Sequence, residues 1–197
     1  VARMKEEGID VPGWVEEMLA RGQTSFYEGN LGGRSYWNAK ASEKKPEPIS
    51  PRFMRLPATI KDPSLVAKNP GARLWDIGDG VFCVEFRTKM NAVDADLVGM
   101  INQGIEHAEA NGQGLILGNH AENAFSAGAN LMLIAMAANQ KAWDQIEDVL
   151  DGFQAVNLRL RHSQIPTVAA PFGLTLSGGA EMTMGADAIQ AHAELYI

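Results

Sequence analysis

The sequence predicts an α/β domain, and three observations predict it. From Arg73 onward, short apolar runs of strand character alternate with segments of helical period. Two glycine-rich turns, FSAGAN at 125–130 and LSGGAE at 176–181, each link a strand-like run to a helix-like one. Hydrophobic residues make up 46% of the 197 and charged residues 21%, which supplies a packed core and argues against global disorder.

In residues 1–40, Pro12 suits a first helical turn, and Trp14, Val15, Met18 and Leu19 form one apolar stripe that ends before Gly22. Phe26-Tyr27 and Ser35-Tyr36-Trp37, set around Gly29, Gly32 and Gly33, predict a small hairpin. Residues 41–72 carry Pro46, Pro48, Pro51, Pro57, Pro63 and Pro70, a density that forbids a long helix or a central strand and reads as an extended linker. Leu74–Ile77 and Val81–Phe86 flank Gly78-Asp79-Gly80 and predict a β-hairpin. Asp94 can cap a helix in which Leu97, Ile101, Ile105 and Ala108 recur at helical spacing up to Gly112. Gly114–Gly118 reads as a short buried strand. Residues 131–139 are apolar all round. Residues 142–161 form a longer helix with Trp143, Ile146, Leu150, Phe153 and Leu160 largely on one face, which Pro166 stops. Thr167–Ala170 is another strand, LSGGAE opens a further short helix, and a final strand pair begins near Ala188.

The length suits one domain with an appendage. Val1 is not an initiator methionine and the chain stops within an apolar run ending at Ile197, so the sequence reads as a piece of something longer. A formal charge of −7 argues against a nucleic-acid-binding protein, while a small anionic ligand needs only a few local cations or backbone N–H groups. The single cysteine, Cys83, allows no internal disulfide and fits a reducing, cytoplasmic setting. No apolar run is long enough for a membrane span and the charged N-terminus is no signal peptide. His107, His120, His162 and His192 show no metal-ligand spacing, and neither Ser126 nor Ser177 sits in GxSxG. No metal is expected.

The chemistry lies in the two turns. In FSAGAN, Gly128 allows a tight turn and Ala129 precedes a helix, whose first N–H groups lack intrahelical partners and can face a carbonyl oxygen or an anion. LSGGAE repeats the arrangement: Gly178 and Gly179 bring bare backbone close to a ligand at the start of another helix. Either turn alone is more often structural. Two such turns facing one point supply two donors to an acyl thioester oxygen, as stabilising an enolate or tetrahedral oxyanion requires. Glu181 stands one helical turn after Gly178, where its carboxylate can act as general acid or base beside that oxygen.

With KMNA at 89–92, FSAGANL at 125–131 and IPTVAAPFGLTLSGGAE at 165–181, the stretch from about Arg73 to Ile197 resembles the crotonase (enoyl-CoA hydratase/isomerase) superfamily. The resemblance implies a repeated ββα superhelix, here C-terminally truncated, over residues 73–197. It implies that the N–H groups of Ala129 and Gly178 form the oxyanion hole and that Glu181 is one of two glutamates found in hydratases. The second would follow the strand that begins near Leu195, beyond Ile197. Lys89, Met90, Asn91 and Ala127 would contact coenzyme A, and Leu131, Met132 and Met136 would line the acyl pocket. Asn130 stands where an aspartate is usual, Ser177 replaces a glycine and Ala180 a common cysteine; the backbone donors survive all three.

Residues 1–40 and the proline-rich stretch resemble the junction in bacterial fusion enzymes, where 3-hydroxyacyl-CoA dehydrogenase comes first and a crotonase domain follows. That resemblance implies residues 1–40 as the end of a helical dehydrogenase domain, with NAD bound further upstream, since no GxGxxG turn occurs in this chain. The implied reaction is hydration of a trans-2-enoyl-CoA to a 3-hydroxyacyl-CoA in fatty-acid β-oxidation, with no cofactor in this stretch, a coenzyme A thioester as substrate, and a homo-oligomer when complete. The truncated stretch alone is expected to be inactive. The alternatives are a double-bond isomerase, which needs one glutamate, and a silent acyl-CoA-binding domain.

Overall fold

A computed structural model describes residues 1–29, 34–48, 54, 56–57 and 61–197, and the chain divides into two units, 1–58 and 59–197. The first unit holds helices α1 (Ala2–Glu6) and α2 (Gly13–Ala20) and a small antiparallel sheet of β1 (Tyr27–Glu28), β2 (Ser35–Asn38) and β3 (Glu43–Pro46). Pro12 caps α2, as its fixed φ allows at a helix start. Met18 and Trp37 are buried, and the Arg21 guanidinium lies 5.8 Å from the Trp37 ring centre. The β1–β2 pairing is the hairpin predicted from the aromatic residues. Its glycines Gly32 and Gly33, like the linker proline Pro51, lie outside the described residues.

The second unit is built on a six-stranded sheet and a two-stranded one. The large sheet runs in the order β11, β9, β7, β6, β5, β4, formed by β4 (Leu65–Lys68), β5 (Ala72–Asp76), β6 (Val81–Phe86), β7 (Gly114–Gly118), β9 (Thr167–Ala169) and β11 (Ala188–Ile189). β4, β5 and β6 pair antiparallel and the rest parallel. The small sheet pairs β8 (Ala124–Ser126) with β10 (Leu174–Thr175), parallel. Helices α3 (Ala95–Asn111), α4 (Leu131–Asn139), α5 (Trp143–Arg161) and α6 (Gly178–Gly185) follow the strand pairs β5–β6, β7–β8 and β9–β10 in turn. This is a repeat of two strands and a helical segment. In the second and third repeats one strand joins the large sheet and the next joins the small one.

The alternation in β6 explains both faces of the large sheet. Phe82, Val84 and Phe86 point into the main core with Leu97, Met100, Ile101 and Ile105 of α3. Asp94 begins α3 as expected, its side chain accepting from the Leu97 N–H at 2.9 Å. The opposite face carries Cys83 and Glu85. Burial, and next the nearby Glu85 carboxylate, push the Cys83 thiol up to about 12, so it is not a nucleophile at neutral pH. Glu85 is itself buried. It accepts from Trp75 Nε1 at 2.8 Å and from Arg87 at 3.2 Å, with the Arg73 guanidinium 3.6 Å away. Glu85→Ala leaves a buried indole N–H without an acceptor and Arg73 without its partner. The expected cost is about 3 kcal/mol, read from a urea midpoint at constant slope, and a loss under about 1 kcal/mol would show that the cluster is dispensable.

The proline-rich stretch differs in part from the expected linker. β3 and β4 both fall within it. The prolines permit this because β3 and β4 are edge strands, and Pro63 and Pro70 stand just outside β4 rather than in it. The α5 stripe also divides: Leu160 is buried with Val156, whereas Trp143 and Leu150 are exposed.

Candidate active site

Two strand ends and two helix starts meet at one place. β8 ends at Ser126, and the chain passes through Ala127 and Gly128 to Ala129 before α4 begins. β10 ends at Thr175, and the chain passes through Leu176 and Ser177 into α6. Because β8 and β10 are hydrogen-bonded neighbours, the two turns leave the small sheet side by side. Leu176 N–H donates to the Ser126 carbonyl at 2.9 Å and locks the junction.

Glycine makes that approach possible at two points. Gly128 has a φ of +82°, and a Cβ there would sit 2.6 Å from the Leu176 carbonyl oxygen and 3.1 Å from the Gly178 nitrogen. A Cβ on Gly179 would sit 2.6 Å from the Ser126 Cβ, so α6 rests directly on β8. A Cβ on Gly178 would lie 3.6 Å from the Ala129 nitrogen. Standard bond lengths then put the Ala129 and Gly178 nitrogens within about 6 Å of each other. Among the described residues, neither N–H donates a hydrogen bond to the protein. Unpaired backbone donors are uncommon in folded proteins, and two adjacent ones leave room for an acceptor from outside.

Glu181 lies in the first turn of α6, exposed, with its N–H bonded to the Ser177 carbonyl at 3.1 Å. Its side chain makes no hydrogen bond or ion pair among the described residues.

Next to Ala129 lie two apolar cavities of about 390 and 410 Å³. Both are bounded by Val93 and Ala95 at the start of α3, by Ala129 and Ile134, and by Val149 of α5. Leu133 and Met136 line one, and Phe153 of α5 the other. Cavities of this size and character suit an alkyl chain.

The segment 89–91 is a single turn in which Met90 and Asn91 have positive φ. The Met90 carbonyl accepts from Ala127 N–H at 3.1 Å, the Asn91 carbonyl from the Ser126 hydroxyl at 2.7 Å, and the Asn91 amide donates to the Ala124 carbonyl at 2.9 Å. The turn is therefore stapled to the strand that leads into Gly128.

Residues 76–195 match the enoyl-CoA hydratase/isomerase family. The chain belongs to that family. Over 195 residues, 99% of the chain, it is 37% identical to a Bacillus subtilis (strain 168) protein named "Probable 3-hydroxyacyl-CoA dehydrogenase", and it spans 24% of that relative's length. Among solved structures, an enoyl-CoA hydratase from Bacillus halodurans superposes with a TM-score of 0.58 at 21% identity, covering 63% of this chain and 51% of that one. An enoyl-CoA hydratase/isomerase from Xanthobacter autotrophicus Py2 gives 0.54 at 26% identity, covering 64% and 47%. The likeness confirms the fold class, and the match over 195 residues takes in both units.

For this enoyl-CoA hydratase/isomerase family domain, the structure brings some sequence-picked residues together and parts others. Ala129 and Gly178 adjoin, and Met90, Asn91 and Ala127 stand in the turn stapled beside them. Lys89 is exposed and Met90 is 53% exposed, both available at the surface. Asn91 differs: its side chain is buried and bonded within the protein, so it holds the turn in place. Leu131 and Met132, 71% and 69% exposed, border neither cavity, whereas Met136 does. Sequence reasoning missed Val93, Ala95, Val149 and Phe153 as lining, because they come from the lead-in and start of α3 and from α5, and only the tertiary fold brings them to Ala129. Among the described residues no three His, Cys, Asp or Glu side chains cluster as a metal site, and no helix is long and apolar enough to cross a membrane.

Proposed function

We propose that this domain hydrates trans-2-enoyl-CoA thioesters to 3-hydroxyacyl-CoA. The observation that carries the reading is the pair of adjacent N–H groups at Ala129 and Gly178, unpartnered among the described residues, with Glu181 one helical turn after Gly178. The thioester oxygen accepts from both donors. Glu181 takes a proton from water as the water oxygen bonds to C3. The electron pair of the C2–C3 double bond moves toward the thioester oxygen as an enolate, and return of the proton held by Glu181 to C2 restores the carbonyl. A second carboxylate, expected past Ile197, shares the water with Glu181. Each backbone donor contributes about 3–4 kcal/mol to such a transition state. Lys89, Met90 and Ala127 border the coenzyme A, and the acyl tail enters the apolar cavities.

The Bacillus relative's name supports a wider role. The full-length protein, in this reading, oxidises the 3-hydroxyacyl-CoA with NAD in an upstream domain, so that two steps of fatty-acid β-oxidation follow one another on one chain. Its setting is the cytoplasm. The exposed apolar side chains of α4 and α5 favour a homo-oligomer.

The test is loss of the enoyl absorbance of crotonyl-CoA with the full-length protein and identification of 3-hydroxybutyryl-CoA as product. Thioester binding without turnover would sink the hydratase reading in favour of a silent binding domain. Migration of the double bond in a 3-enoyl-CoA without hydration would make the domain an isomerase.

The cavity adds a separate expectation. Ile134 borders both cavities, so Ile134→Trp fills the space for a long tail and leaves the reacting end alone. With decenoyl-CoA, kcat/KM is expected to fall about tenfold or more, and with crotonyl-CoA less than about threefold, since each buried methylene contributes about 0.8 kcal/mol. Equal losses on both substrates would place the tail elsewhere.

A further inference from the structure

Ser177 occupies the N-cap of α6 with φ 49° and ψ −124°. That is backbone space used almost only by glycine, so a serine there is strained. A serine at an N-cap ordinarily uses its oxygen to accept from the second or third N–H of the helix. This one makes no cap bond, and among the described residues its hydroxyl has no other partner. The strain and the free hydroxyl belong together. The ψ angle of Ser177 sets the direction of the Ser177–Gly178 peptide, and hence of the unpaired Gly178 N–H.

The side chain also has a defined neighbour. A Cβ on Gly128 would lie 2.8 Å from the Ser177 Cβ, so the serine side chain rises over the bare Cα of the residue before Ala129. Ser177 is exposed, and its side chain is rooted between the two donor turns. A residue kept only for the turn would be glycine, which adopts this backbone without strain.

We propose that the Ser177 hydroxyl is a third hydrogen-bond donor to the thioester oxygen held by Ala129 and Gly178, and contributes most when that oxygen carries enolate charge. The inference rests on the acyl-thioester reading of the site. The chemical class it recognises is an acyl-CoA enolate.

The experiment compares Ser177→Ala and Ser177→Gly with the unaltered full-length protein. Three things are measured: crotonyl-CoA hydration kinetics, thermal midpoint, and the pH titration of bound acetoacetyl-CoA, whose enolate absorbs in the near ultraviolet. Both variants are expected to lower kcat about 10- to 100-fold with KM within about threefold, and to raise the apparent pKa of bound acetoacetyl-CoA by about one to two units. Ser177→Gly should also raise the thermal midpoint, because it relieves the strained backbone. A more stable protein that is a poorer catalyst is an outcome a purely structural serine does not give. Both variants within about twofold of the original kcat, with the titration unmoved, would overturn the proposal. So would a loss in Ser177→Ala that Ser177→Gly restores, which would assign Ser177 to turn geometry alone. If the unaltered protein holds acetoacetyl-CoA as its enolate but hydrates nothing, the hydratase reading fails, and the titration of the variants still judges Ser177. If it does not bind acetoacetyl-CoA, both fail.

Discussion

Glu181→Gln is expected to lower the hydration kcat about a hundredfold or more and to leave acyl-CoA binding nearly intact, as general acid–base groups contribute about 10²–10⁴-fold. The amide keeps the size and reach of the side chain and cannot take or return a proton. Its backbone position is fixed independently, through the N–H bond to the Ser177 carbonyl and the rest of α6. The side chain holds nothing else in place among the described residues, so the variant should fold with an unchanged thermal midpoint. KM for crotonyl-CoA should move less than about threefold, because the thioester oxygen and the coenzyme are held by other groups. Steady-state kinetics showing less than about a tenfold loss in kcat would end the assignment of Glu181 as the proton-transferring residue.

How much of this was readable before the structure differs from residue to residue, and the differences have physical causes. The α3 start was legible because a cap acts locally: Asp94 needs only the N–H of Leu97, three residues on. The two donor turns were legible because close backbone approach demands glycine: a Cβ would collide at Gly128 and Gly179 and would crowd the Phe153 ring, at 3.2 Å, at Gly178. The ββα repeat came from the family resemblance, since strand-to-strand pairing between β8 and β10 has no local signal. The apolar helix α4 was legible as a helix but its surroundings were not. Composition cannot tell a helix buried on all sides from one that leaves Leu131 and Met132 exposed. Asn91 shows a related limit. Its position in KMNA was visible, yet the fact that its amide is spent on the Ala124 carbonyl depends on a contact 33 residues away. Prolines misled for the opposite reason. Pro63 and Pro70 bound an edge strand, and a count of prolines does not reveal which side of a strand they occupy.

Gly128→Ala is expected to abolish most of the activity, by about a thousandfold or more in kcat/KM, since it displaces two donors that each contribute about 10²–10³-fold. The new Cβ would lie 2.6 Å from the Leu176 carbonyl oxygen, 2.8 Å from the Ser177 Cβ and 3.1 Å from the Gly178 nitrogen. All three belong to the turn that presents the second donor, so relieving the overlap moves Ala129 away from Gly178. Residue 128 cannot yield instead. Its carbonyl accepts from Val93 N–H at 2.8 Å and its N–H donates to the Ser126 hydroxyl at 3.2 Å, which pins it to the start of α3 and the end of β8. A φ of +82° adds strain for any side chain, and the combined destabilisation should reach about 2–3 kcal/mol. A lower stability alone could mimic a loss of function, so Gly80→Ala serves as the control. Gly80 also has a positive φ, +70°, but its Cβ would meet mainly the flexible side chain of Gln113, at 3.3 Å, in the turn before β6. That variant should lose about 1 kcal/mol of stability and keep its kcat. Urea titrations and crotonyl-CoA kinetics on both proteins separate the two effects. If Gly128→Ala, folded at the assay temperature, retains more than about a tenth of the original kcat/KM, then the junction of the two turns does not hold the reacting oxygen.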